Sequence, residues 1–329
     1  MSDIAMIRAA AGRLAGHARR TPMLSSPFLD EIAGRRVLVK PECLQHTGSF
    51  KYRGGRAALS ALDPQTRARG VIAYSSGNHA QGVALAAREM GAPAVIVMPS
   101  DAPVLKIANT RAYGAEVVLY DRPGGESREE VGTRLMAERG LTLIKPYDAP
   151  EVIAGQGTCG LEIAAQARAR GVTRADVLVC CGGGGLSSGI ALALEAEAPG
   201  LRARPCEPEG FDDTARALAT GQVSPNPRES GSICDAILTP QPGALTFPIM
   251  RRLCGPGLVV SEAEVLRAMA LAWLRLKVVA EPGGAVALAA ALFRPDEIAG
   301  EAVICTISGG NADAGIFRTA LERYGSAVS

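Results

Sequence analysis

The sequence predicts an α/β fold in two domains, each a mostly parallel twisted sheet flanked by helices. Three observations carry that expectation. Short β-type runs alternate with alanine-rich helical stretches almost throughout, the pattern of parallel strands joined by crossover helices. At 329 residues the chain exceeds one small module and suits two domains. Hydrophobic residues make up 47% and charged residues 21%, which supplies both a core and a soluble surface. Aromatic residues contribute only 4%, so alanine, leucine, valine and isoleucine must fill that core.

The elements follow in chain order. Ile4, Ile7, Leu14 and Ala18 stand at helical spacing behind Ser2 and Asp3, two candidate caps. Strands are expected at residues 36–40, 71–74, 94–98, 116–119, 141–144, 176–181, 201–206 and 302–307. Helical spacing fills the intervals, most clearly at 79–90 and 126–139. Gly91-Ala92 and Gly114-Ala115 punctuate helix ends. Residues 220–242, with Pro225, Pro227, Gly231, Pro240 and Pro242, read as loop. No linker rich in proline or serine divides the chain, so the domains are expected to be interleaved.

Composition excludes several classes. Thirty-five basic residues against 33 acidic ones leave +2, so neither nucleic acid nor an anionic membrane is an expected partner. The longest uncharged window, 177–194, contains Gly182 to Gly185, Ser187, Ser188 and Gly189, which suits a loop between two elements better than a membrane span. The eight cysteines form no C-x-x-C pair and several lie in apolar runs, as reduced thiols of a cytoplasmic protein would. Three histidines offer no zinc spacing. The arginines near the N-terminus are read as part of a helix rather than of a transit peptide.

Four segments carry chemistry. Cys181-Gly-Gly-Gly-Gly-Leu-Ser-Ser follows a strand and opens a helix, leaving bare amides at a helix start, a ready phosphate site. Without G-x-x-x-x-G-K-[ST] it is no P-loop. Gly183 and Gly185, with Glu207 near the end of the next strand, loosely mimic a dinucleotide fingerprint, so a nicotinamide-dependent oxidoreductase competes on this loop alone. Thr47-Gly-Ser-Phe-Lys51 sets a lysine at a helix start beside the Phe50 ring, which suits a Schiff base to an aldehyde cofactor; read alone, a solvent-exposed lysine explains it as well. Ser75-Ser-Gly-Asn-His-Ala-Gln81 follows a strand and offers amides and hydroxyls to a carboxylate, or a plain helix cap. Ser308-Gly-Gly-Asn311 follows the last strand.

In this order and spacing, "TGSFKYRG", "SSGNHAQG", "GGGGL" and "SGGN" resemble the fold type II pyridoxal-phosphate enzymes, most of all the threonine/serine dehydratases and serine racemases. The resemblance runs from Arg20-Thr-Pro through Ser308. It implies a tryptophan synthase β-like architecture, with residues 1–64 plus 146–329 as a large cofactor-binding domain and 65–145 as a small one. It implies that Lys51 carries pyridoxal 5'-phosphate and acts as base at Cα, and that Phe50 packs on the ring. Asn78 would bond the ring hydroxyl. Gly182, Gly183, Gly184, Gly185 and Leu186 would hold the phosphate, and Ser308 would face the pyridine nitrogen. A neutral hydroxyl there makes the ring a weaker electron sink, which favours early loss of a β leaving group. Ser76, Gly77, Asn78 and His79 would hold the substrate carboxylate, and Ser76 stands where racemases of the family keep a second base.

Two further likenesses and one departure follow. Cys206-Glu-Pro-Glu-Gly-Phe-Asp-Asp213 resembles a divalent-cation site, with Glu207, the Phe211 carbonyl and Asp213 as ligands to Mg²⁺, Mn²⁺ or Ca²⁺; a solvated turn capping a helix at Asp212 or Asp213 is the alternative. Gly125-Glu-Ser-Arg128-Glu resembles the racemase-like branch, where the arginine lies near the substrate's β-substituent and would favour a second carboxylate; a plain surface residue in the first turn of helix 126–139 is the alternative. Ser232-Ile-Cys-Asp-Ala236 departs from the family form, which has glycine after the aspartate. A homodimer without isoleucine feedback is expected. The implied activity is dehydration of threonine, serine or 3-hydroxyaspartate to a 2-oxo acid and ammonia. Serine or aspartate racemisation on the same site is the alternative, and a catalytically silent amino-acid-binding protein is disfavoured by the intact Lys51.

Overall fold

The computed structural model describes residues 2–75, 77–102, 104–121 and 124–326. Within them nine strands form two sheets. The strands are β1 (Arg36–Pro41), β2 (Val71–Tyr74), β3 (Ala94–Pro99), β4 (Glu116–Tyr120), β5 (Thr142–Leu143), β6 (Ala175–Cys180), β7 (Leu201–Pro208), β8 (Leu258–Val260) and β9 (Ala302–Ile307). The larger sheet runs β1-β9-β6-β7-β8 and the smaller β4-β3-β2-β5. All the strand pairings are parallel. Helices cover both sheets, as parallel strands buried on two faces require. None of the described helices is long and apolar enough to cross a membrane.

The expected strands recur with bounds shifted by no more than two residues, and the sequence expectation and the fold differ most in two places. β8 has no counterpart in the sequence pattern, because three residues are too short to show a period of two. The strand expected over 141–144 contracts to Thr142–Leu143, although Ile144 N still donates to the Ile72 carbonyl at 2.9 Å.

Local chemistry explains where key helices begin. Asp3 accepts from Met6 N at 2.9 Å and starts the first helix, Ile4–Leu14, while the other candidate cap, Ser2, donates to the Pro150 carbonyl instead. Ser127 accepts from Glu130 N, so the helix expected from 126 starts at Arg128. Packing is tight because small residues face one another. A side chain on Gly157 would meet Ile7 and Gly189, and one on Gly160 would meet Ala193 and Ile190. Helices Pro150–Ala169 and Gly185–Glu197 thereby approach closely, which is how a core so poor in aromatics stays filled. Helix Pro282–Phe293 is apolar all round, and eleven of its residues are buried.

A charged network crosses the core of the larger unit. Arg53 donates twice to Glu42, at 2.7 and 2.8 Å, and reaches Glu162 at 2.7 Å. Lys40 donates to Glu162 at 2.5 Å, to Gln166 at 3.0 Å and to the Thr21 carbonyl at 2.8 Å. Two cations meet two carboxylates, and both Arg53 and Lys40 are fully buried. The network ties β1 to helix Lys51–Ala61 and helix Pro150–Ala169, so it anchors the helix that Lys51 opens.

Candidate active site

Loop-to-helix junctions from both sheet units line one cavity of about 270 Å³. Lys51 opens its helix there. Its Nζ donates to the Pro146 carbonyl at 2.8 Å and lies 5.2 Å from the centre of the Phe50 ring. Burial lowers the ammonium's pKa to about 8, with the Glu281 carboxylate pulling it back up. The junction is stitched to the last motif: Phe50 N donates to the Ser308 carbonyl at 3.1 Å, and Asn311 Nδ2 donates to the Thr47 carbonyl at 2.8 Å. Thr47 takes a left-handed conformation, φ 58°, uncommon for a β-branched residue. Held in that turn, the chain reverses and delivers Lys51 inward.

Gly182, Gly183, Gly184, Gly185 and Leu186 line the opposite wall. The helix begins at Gly185, one residue before the expected start, with Gly184 as its cap at φ 87°. A side chain on Gly183 would run into the Tyr147 ring, and one on Gly184 into Met250 and Thr246. The glycines therefore leave the helix-start amides uncovered for an anion.

Ser75, Gly77, Asn78 and His79 supply the third wall. Asn78 is clamped: its Nδ2 donates to Glu281 at 2.6 Å and its Oδ1 accepts from Asn311 at 2.7 Å. His79 meets the Ile144 carbonyl at 2.8 Å through Nε2, which must carry the hydrogen because a carbonyl only accepts. Burial, and secondly the charge of Lys51, hold its pKa down to about 3, so the ring is neutral. Gly77 and Ser308 also line the cavity. Ser76 lies outside the described residues. Arg128 stands at the mouth, lining the cavity while its side chain is 56% exposed and pairs with Glu129 at 2.6 Å.

Sequence reasoning missed Glu281, Lys106, Tyr74 and Tyr147, and it gave Asn311 no role. It marked Asp235 only through the 232–236 loop that departs from the family form, and Asp235 and Ala236 of that loop stand in the cavity wall. Glu281 is 5% exposed, and burial pushes its pKa up to about 7 against the hydrogen bond from Asn78. The signal for it was Glu-Pro-Gly-Gly ahead of an apolar helix, an acidic cap where the chain has no solvent to spare. Lys106 carries no local signal, and its pairing with Asp235 could not be read, because only the fold brings the two together.

Glu207, Phe211 and Asp213 stand apart from this cavity. Glu207 accepts from Thr214 N at 3.1 Å and Ala215 N at 2.7 Å, so Glu207, not Asp212 or Asp213, caps helix Asp213–Thr220. A carboxylate turned to those amides is not aimed at a ribose beside the glycine loop, which removes the support for a nicotinamide cofactor. Asp213 Oδ1 accepts from Asn226 at 2.5 Å, and Oδ2 is buried without a partner. Glu207 is pushed well up by burial and then by the Asp213 charge, and Asp213 rises to about 6 through burial. Burial thus disfavours the charged form of both carboxylates, and one Asp213 oxygen is left without a partner, while both Glu207 oxygens are taken by backbone amides. Among the described residues there is no cluster of three histidine, cysteine or acidic side chains that could hold one.

The donor set of the main cavity fits one kind of group. Bare amides at a helix start suit a phosphate, a lysine with lowered pKa suits an aldehyde, and a clamped amide and a buried hydroxyl suit a polar ring edge. Comparison with known proteins agrees. Residues 14–310 match the family model "Pyridoxal-phosphate dependent enzyme". The chain is 44% identical to an L-threo-3-hydroxyaspartate ammonia-lyase from Pseudomonas sp, across 96% of this chain and 95% of the relative. Among solved structures it superposes on maize serine racemase with a TM-score of 0.89 at 37% identity, covering 98% of this chain and 97% of the other. It superposes on a threonine deaminase from T.th. with a TM-score of 0.88 at 44% identity, covering 94% of this chain and 99% of the other. Sequence, fold and cavity converge, and the chain belongs to the family of pyridoxal-phosphate-dependent enzymes.

Proposed function

We propose that the chain is an ammonia-lyase that removes water from 2-amino-3-hydroxy acids, with 3-hydroxyaspartate as preferred substrate, yielding a 2-oxo acid and ammonia. One observation carries the preference: the Arg128 guanidinium lines the same cavity as Lys51, in a chain 44% identical to a 3-hydroxyaspartate ammonia-lyase. Pyridoxal phosphate, when bound, supplies an electron sink that acidifies the α-proton. Lys51 would hold its aldehyde, Gly182 to Leu186 its phosphate, Asn78 its ring hydroxyl and Ser308 its ring nitrogen, with Phe50 beside the ring.

The protein's own groups do the rest. Gly77, Asn78 and His79, with Ser76, would hold the α-carboxylate on neutral donors. Arg128 would orient a β-carboxylate. Once the amine of the substrate has taken the place of Lys51, the Lys51 Nζ is free to remove the Cα proton. A pKa near 8 suits that task, because a base works best close to the ambient pH. As the Cα–H and Cβ–O bonds break, the proton that Lys51 takes from Cα balances the one the leaving hydroxide takes up to depart as water. The released unsaturated amine then consumes a water to give the 2-oxo acid and ammonia.

Glu207, the Phe211 carbonyl and Asp213 would hold Mg²⁺, Mn²⁺ or Ca²⁺; the buried, unpartnered Asp213 Oδ2 supports this reading. We take the protein as a cytoplasmic homodimer with residues 65–145 as its small domain. Racemisation is the second reading, favoured by the likeness to maize serine racemase. A panel assay for 2-oxo acid and ammonia on 3-hydroxyaspartate, serine and threonine, with chiral analysis of the unreacted substrate, tests both. Fastest elimination from 3-hydroxyaspartate is expected. Equal rates on all three would remove the preference, and racemisation outrunning elimination would replace the lyase reading.

A further inference from the structure

Two ionic contacts stand at the cavity mouth, Arg128 with Glu129 and Lys106 with Asp235, and the second has no part in the proposed reaction. Lys106, on helix Val104–Ala112 of the smaller sheet unit, places Nζ 2.9 Å from Oδ2 of Asp235. Asp235 opens the short turn Asp235–Ile237, which packs on helix Pro282–Phe293 in the larger unit. Both side chains line the cavity that Lys51 and Arg128 line. The pair is half open to solvent, with Lys106 30% and Asp235 60% exposed.

The charges in the cavity wall can be assigned one by one. Among the described residues its cations are Lys51, Lys106 and Arg128, and its carboxylates are Asp235 and Glu281; His79 is neutral. Lys51 is taken by the cofactor aldehyde. Glu281 is engaged by Asn78. The glycine amides and the 75–79 loop meet their anions with neutral donors. Lys106 and Arg128 remain, both on the smaller unit; Lys106 holds Asp235, which lines the cavity, and Arg128 pairs with its neighbour Glu129, which does not. An ion pair this exposed contributes little to stability, so exchanging one carboxylate for another is easy. A β-carboxylate entering beside Asp235 without that exchange would meet like charge, which disfavours it.

Resting on the 3-hydroxyaspartate reading, we propose that Lys106 and Arg128 form the subsite for the substrate's second carboxylate, and that Asp235 is its resident occupant, displaced from Lys106 when a dicarboxylic amino acid binds. Serine and threonine leave the Lys106–Asp235 pair intact, while 3-hydroxyaspartate takes it over. Asp235 is then a selectivity residue by competition: it guards a cation that monocarboxylates never need.

The two members of the pair must act in opposite directions, which a purely structural latch would not do. On the holoenzyme, kcat/KM for 3-hydroxyaspartate relative to serine is measured for wild type, Lys106→Met and Asp235→Asn. The affinities of succinate and propionate are measured by calorimetry. Lys106→Met should lower the selectivity ratio, and succinate binding relative to propionate, by about tenfold, the loss of one charge-assisted hydrogen bond. Asp235→Asn should raise both by about threefold, because the competitor is gone while the cation stays. Shifts of the same sign in both variants, or no shift in Lys106→Met, would overturn the subsite. Wild-type protein that ignores 3-hydroxyaspartate while the succinate pattern holds would overturn the proposed substrate and leave the dicarboxylate subsite standing.

Discussion

Two buried charge clusters lie in the larger unit, and they are opposites. Around Arg53, two cations face two carboxylates, and each carboxylate of the set is met by guanidinium, ammonium or hydroxyl. There Glu42 is fully buried, yet the Arg53 charge and hydrogen bonds overcome that burial and hold its pKa below the usual range. Around Asp213, two carboxylates face amides and one asparagine, and one oxygen is left over. Both of its acids are pushed up rather than down. The difference separates two kinds of buried charge: one cluster is balanced within the framework, while the other carries unpaired negative charge, which is what the proposed cation would offset.

The largest expected effect breaks the balanced cluster. Arg53→Met leaves Glu42 and Glu162 with too little positive charge, and removing one partner of a buried pair costs about 3–5 kcal/mol. Urea unfolding should show that loss, with the cofactor site failing as helix Lys51–Ala61 loosens. Next, magnesium or manganese should stabilise wild-type protein after chelation, by about 2.7 kcal/mol at roughly a hundredfold excess over Kd. Asp213→Asn should abolish the gain, as thermal unfolding with and without metal would show; a chelated protein indifferent to both ions would reduce the second cluster to a helix cap.

A pH series sharpens the contrast. The native pKa of Asp213 is raised above its unfolded value, so the native state holds the proton more tightly between about pH 4 and 6. In chelator, the penalty is therefore full above pH 6 and shrinks as the pH falls. Wild type should gain on the order of 1 kcal/mol relative to Asp213→Asn between about pH 7 and 5. Glu42, with its lowered pKa, works in the other direction, losing stability only as acid protonates it. The smallest effect concerns Lys51, a buried cation whose Nζ is met by a carbonyl rather than a carboxylate. With a pKa near 8, its neutral fraction rises about fivefold from pH 7 to 8 and then levels off. The rate at which apoenzyme captures pyridoxal phosphate should follow that curve, whereas an ordinary lysine would keep climbing to about pH 10.

Much of this was legible in the sequence. Strands such as Val71–Tyr74 and Ala302–Ile307 stand out because apolar runs bounded by turn residues leave few alternatives. Lys51, the glycine loop and Asn78 were legible because each sits at a loop-to-helix junction with its own local pattern. Glu281 and Asn311 were not, since a clamp on Asn78 is a property of three distant segments. Lys106, and its pairing with Asp235, stayed hidden for the same reason: α/β crossovers bring distant segments together by topology, not by spacing. Glu207 is not legible as a cap, because the helix it serves begins six residues later, beyond the range where capping patterns are sought.

The pairing of β1 with β9 joins Arg36 to Ala302, near opposite ends of the chain. The smaller sheet, by contrast, is built entirely from Val71 to Leu143. During synthesis the smaller sheet can close as soon as its own residues emerge, whereas β1 and β6 must wait, edges bare, until the final strand arrives. The order of assembly is thus written into the topology: the cavity is completed last, when Ser308 and Asn311 follow β9 into place beside a Lys51 made long before. A ribosome-stalled chain ending before Ala302 should hold a protected smaller sheet and no cofactor site, and its unpaired edge strands are where aggregation would begin.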